Sequence, residues 1–171
     1  LVRNDNTAAP EIPEAQVALK TTPPSEEIVR PALPESSRVP TYTGREPGEI
    51  NPLPAEIKLF SQEQLRQIYS RIAQIAGIVK STPSFFDGWI NLGIYKKVIG
   101  DFAGARDAWE YASLIEPLNS SSFANLGELY WRYLHEYAKA EANFRISIKH
   151  KPDPAVYVSL AELYHYSLKE K

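Results

Sequence analysis

Three nine-residue stretches, NLGIYKKVI from Asn91, NLGELYWRY from Asn125 and SLAELYHYS from Ser159, follow one another at a step of 34 residues. A motif that returns at such an interval builds the same small unit again and again, and each copy buries its apolar face against the next. The residues at the repeated positions say what the unit is. Trp89, Leu92 and Gly93 are matched by Phe123, Leu126 and Gly127, then by Tyr157, Leu160 and Ala161. Spacings of i, i+3 and i+4 place each trio on one helix face, and the small third member admits a second helix at close range. That second helix follows in two units, as Phe102, Ala105, Trp109 and Pro117, then as Tyr137, Ala140, Phe144 and Pro152. Ring, methyl, ring and terminating proline predict antiparallel helix hairpins, and the predicted class is all-α.

The pattern Trp-x-x-Leu-Gly, then Gly-Asp-Phe-x-x-Ala-x-x-x-Trp, then Pro resembles the tetratricopeptide repeat. WINLGIYKKVIGDFAGARDAWEYASLIEP carries nearly all of it, and FANLGELYWRYLHEYAKAEANFRISIKHKP carries it with one extra residue in the turn near Leu134. The resemblance covers residues 86–171 and implies hairpins stacked as a right-handed α-solenoid. The repeats expected are 86–119 and 120–152, with a partial repeat or capping helix at 153–171. It is weak for the helix expected at 61–80, where Ser61 and Gln64 have capping-box spacing but Arg71 stands in place of the small residue. Lys96 stands where the family usually has a tyrosine, which implies a looser first hairpin.

Composition divides the chain near residue 60. Ten of the 14 prolines and a single aromatic residue, Tyr42, precede it. Proline withholds backbone donors, and so few aromatics offer little apolar surface to offset the entropy of ordering. Residues 1–55 therefore read as a disordered Pro-rich spacer, with order beginning at Phe60 and a helical domain over 60–171. The PxxP spacings Pro10–Pro13 and Pro31–Pro34 fit this spacer role, as is usual in proline-rich chain.

A net charge of -2 with no basic stripe argues against a nucleic-acid partner. No apolar run approaches a membrane span, so no direct membrane contact is expected. The lack of cysteine excludes disulfides and thiolate metal sites, and fits the cytoplasm or a membrane-tethered extracytoplasmic address alike. With no methionine anywhere and a third unit of one helix, the chain reads as a piece of a longer one.

No catalytic motif is present. His135, His150 and His165 have no ligand or catalytic spacing, and Glu128 and Glu162 are brought side by side by stacking alone. No enzyme, metal or cofactor is expected. The resemblance implies instead that the first helix of each unit lines a concave groove. Its partner-facing residues would be Asn91 and Lys97, then Asn125, Glu128, Trp131 and Arg132, then Ser159, Glu162 and Tyr166. An asparagine donates and accepts together, which suits a peptide backbone, although Asn91 and Asn125 would equally satisfy their own helices. The run YWRY points around its helix, so Trp131 is expected at the surface, against a partner or a following repeat. Ile90 and Ile94 replace the Lys and Asn of the family's carboxylate clamp, which disfavours that subclass. The function expected is a protein-interaction scaffold holding an extended apolar or basic segment. The alternatives are a targeting arm of a larger enzyme and a membrane-tethered envelope assembly factor. Self-association through the repeat ends is a further expectation.

Overall fold

The proline that follows each second helix, and the polar residue that precedes most helices, divide the chain where expected. In the computed structural model, which describes residues 39–167, there are seven helices and no strand among the described residues. They are α1 (Pro54–Ile57), α2 (Gln62–Ser81), α3 (Phe86–Val98), α4 (Phe102–Ile115), α5 (Ser120–Arg132), α6 (Tyr137–His150) and α7 (Pro154–Ser167). Pro83, Pro117 and Pro152 lie just past the ends of α2, α4 and α6, where a residue before proline is driven out of the helical region. The capping box is formed: Ser61 Oγ accepts from the Gln64 amide at 3.2 Å, and Gln64 Oε1 from the Ser61 amide at 2.8 Å. Asp101 and Asn119 cap α4 and α5 through their side-chain oxygens.

Each helix from α2 onward packs on the next in chain order, and α5 also touches α7. The α3–α4 pair is antiparallel: Trp89 meets Tyr111 while Lys96, seven residues on, meets Asp101. The α5–α6 pair repeats this, with Phe123 near His150 and Trp131 near Phe144. Glycine is required where the pairs approach. A β-carbon on Gly127 would lie 2.5 Å from Phe144 Cδ1, and one on Gly93 would lie 2.3 Å from Trp109 Nε1. Two apolar clusters result. One gathers Trp89, Leu92, Ile99 and Ala112 with Ile72 and Val79 of α2; the other gathers Trp109, Leu126, Leu129, Phe144 and Leu163. The inter-helix turns also match. Gly100 has φ 78°, and His135, one residue beyond the 34-residue step, takes φ 55° in the turn with the extra residue.

The spacer expected through residue 55 is corrected over residues 39–55, which pack as a strap against α2, α3 and α4. The Tyr42 ring lies 4.5 Å from Trp89 and 5.1 Å from Tyr111, and the Tyr111 hydroxyl donates to Pro40 O at 2.6 Å. Arg45 pairs with Asp101 at 2.6 Å and Asp107 at 3.4 Å, Glu46 with Lys80 of α2 at 2.9 Å, and Pro47 is buried. Leu53 N then donates to Ile99 O, and α1 follows. Order thus begins well before Phe60, because side chains dock the strap rather than any ladder of backbone bonds. Both PxxP spacings lie outside the described residues.

The looser first hairpin implied by Lys96 is also corrected. Lys96 is only 2% exposed. Its ammonium donates to the carbonyl of Glu49 in the strap and lies 3.2 Å from Asp101 Oδ2. Burial would raise the Asp101 carboxyl, but the Arg45 hydrogen bond and the Lys96 charge outweigh it and hold the group below the ordinary aspartate range. The strap closes the site that the missing tyrosine leaves.

Candidate interaction face

The side chains that α3, α5 and α7 turn to one side meet in a chain of alternating charge. Lys97 Nζ lies 4.0 Å from Glu128 Oε2, Arg132 Nε lies 3.8 Å from Glu128 Oε1, and Arg132 Nη2 reaches Glu162 Oε2 at 3.2 Å. Four of the residues expected in the groove, from three helices, are therefore brought together. Helical periodicity explains the local part, since Glu128 and Arg132 are i and i+4. The 34-residue repeat explains the rest, since Glu162 is Glu128 one unit on. Lys97 is also held between rings, 5.9 Å from the Trp109 centroid and 6.0 Å from that of Tyr133. The two cations and two anions neutralise one another, so the face carries little net charge for a basic ligand to exploit.

Asn91 turns its amide to Asp87 O at 2.8 Å and so satisfies its own helix. Asn125 differs. It is half-buried, and among the described residues its side-chain amide takes up no hydrogen bond. Ser159 is half-buried on α7, and Tyr166 is 74% exposed with its ring against His165.

Trp131 is corrected from surface to interior: it is 7% exposed. Its indole N–H donates to Ser167 Oγ at 3.1 Å, its ring meets Phe144 edge-on, and the Arg132 guanidinium covers it at 3.9 Å. Of the two occupants expected for this ring, the following helix α7 is the one that covers it. Trp131 thus supports Arg132 from beneath.

The reading of the groove from first helices alone missed α2. Between α2 and α3 lies an open cleft of about 740 Å³, lined by Phe60, Gln67, Arg71, Gln74 and Tyr95 among others. Arg71 there donates to Gln74 at 2.8 Å and has no acidic partner among the described residues. The spacing of Gln67, Arg71 and Gln74, at i, i+4 and i+7, was the available signal of a polar face.

Among the described residues no cluster of three or more His, Asp or Glu is arranged to hold a metal, and no helix is long and apolar enough to cross a membrane. No protein-family model matches the chain, and no curated protein matches it either.

Proposed function

We propose that this chain is a protein-interaction scaffold of the tetratricopeptide-repeat kind, a stack of helix hairpins whose concave side holds an extended segment of a partner protein. The observation that carries the reading is Asn125: a half-buried residue whose side-chain amide makes no hydrogen bond among the described residues, on the middle one of three first helices that the charge chain ties side by side. A peptide backbone offers the matching donor and acceptor. Support for the stack comes from the recurrence, at matching positions, of the Gly93–Trp109 and Gly127–Phe144 approaches. The role is binding, with no chemical step assigned to the chain. The charge chain shifts the ligand expected, from apolar or basic toward apolar with a neutral backbone register.

The test is selection of peptides from a random display library on the full chain, followed by titration of the winners. Asn125→Ala should weaken the selected peptides by about 1 kcal/mol or more. Lys139→Ala, on α6, should leave them unchanged. Loss of binding in Lys139→Ala with retention in Asn125→Ala would move the site off this face and refute the reading.

A further inference from the structure

The same helix face recurs three times, and it is covered twice. On α3 it carries Trp89, Gly93 and Lys96; on α5, Phe123, Gly127 and Tyr130; on α7, Tyr157, Ala161 and Tyr164. α4 lays Trp109 on Gly93, and α6 lays Phe144 on Gly127. Under that cover, to which the strap adds Tyr42 over Trp89, Trp89 is 1% exposed and Tyr130 3%, whereas Tyr157 is 50% exposed and Tyr164 36%. Ala161 is exposed as well. From Pro154 to Ala161 the helix has no charged residue, so its open side offers rings, methyls and tyrosine hydroxyls.

We infer that the Tyr157–Ala161–Tyr164 face of α7 is a docking surface for an antiparallel helix of the α4 and α6 type, one that carries a small residue and, four positions on, an aromatic ring. The molecule supplies the template twice, as Ala105 with Trp109 and as Ala140 with Phe144. The polar trim agrees. The Tyr130 hydroxyl is taken by Glu110 of the preceding second helix, while Lys139 of the covering helix lies 5.1 Å from the ring centroid. Tyr164 already has the first half of this arrangement: its hydroxyl donates to Glu141 at 2.6 Å and accepts from Arg145 at 2.9 Å. The roof over its ring is what the docked helix adds. Ala161 carries one methyl more than Gly127, which sets that helix slightly farther out than α6 sits on α5. This surface is separate from the concave face, and its occupancy does not depend on a ligand there.

The probe is a side-chain-crosslinked helical peptide carrying residues 136–151 of this sequence, titrated into the ¹⁵N-labelled full chain. Saturable binding is expected, with amide shifts centred on Tyr157, Ala161 and Tyr164. Phe144→Ala in the peptide should weaken it by about tenfold or more, the size of one lost buried ring contact. Ala161→Arg in the chain should abolish it with an unchanged circular dichroism spectrum, and Tyr157→Asp provides an independent check at a second exposed position. Absence of saturable binding, shifts confined to α3 and α5, or binding indifferent to Ala161→Arg would overturn the inference. Concentration-dependent dimerisation that Ala161→Arg abolishes and that excludes the peptide would also overturn it, by giving the face to a second copy of the chain.

Discussion

A lysine sealed from water costs several kcal/mol unless it is both paired and hydrogen-bonded, and Lys96 has both partners. Removing one member of such a pair strands the other. Asp101→Ala should therefore cost about 3–5 kcal/mol in denaturant unfolding, the more so because Asp101 also caps α4. The pH dependence follows from the lowered carboxyl. The stability it contributes is fully present above the ordinary aspartate value of about 3.9 and is lost as pH falls through the lower folded value. Asp101→Asn should thus flatten the acid limb of the stability profile below that pH, as measured by thermal melts from neutral to acid. At the second hairpin, Gly127→Ala should cost about 1–3 kcal/mol through overpacking against Phe144. Gly127 and Phe144 were legible from the repeat alone, since matching positions in two units constrain each other. The partners of Lys96 were not, because Glu49 lies 47 positions away in chain that has no periodicity to read.

At the level of elements, helices declare themselves through period and caps, and a docked strap does not. Residues 39–53 include neither helix nor strand, and proline composition alone reads as spacer. What orders them is Tyr42 between two rings and Arg45 between two carboxylates, contacts made by single residues with distant parts of the fold. Tyr42→Ala should lower stability by about 1–3 kcal/mol, half-burial placing it below a full aromatic truncation. The fluorescence of Trp89 should shift to the red as its cover is lost. A dispensable spacer would leave both unchanged. α7 is the converse case: its repeat register was legible, but its cover on Trp131 depends on Ser167, a position with no counterpart in the motif.

Across the whole molecule, the residues expected to face a partner divide by what they already hold. Lys97, Glu128, Arg132 and Glu162 are spent on one another and Asn91 on its own helix, whereas the side chains of Asn125, Ser159 and Tyr166 make no hydrogen bond among the described residues. The register placed these residues on one side, but their mutual neutralisation depends on side-chain reach across three helices, which spacing does not encode. One consequence has a definite sign. Arg132→Ala frees Glu162 and leaves Glu128 with only its 4.0 Å contact to Lys97, so a lysine-bearing peptide that binds the face should bind a few-fold more tightly to the variant, in keeping with about 0.2–1 kcal/mol per exposed pair. Fluorescence anisotropy with matched lysine and norleucine peptides would measure it, and equal changes for both peptides would show that the acids do not face the ligand.

The strap also orders events in time. Helices that pack on their chain neighbours close short loops and fold quickly, whereas Pro40 and Tyr111 are 71 residues apart. During synthesis the strap leaves the ribosome before any of the surface it binds, and its last partner emerges only with the end of α4. Until then Tyr42 and Arg45 are solvent-facing, and Lys96 waits without the Glu49 carbonyl. A nascent chain arrested before α4 is out should therefore be cleaved by trypsin after Arg45, and one arrested beyond α5 should be protected there.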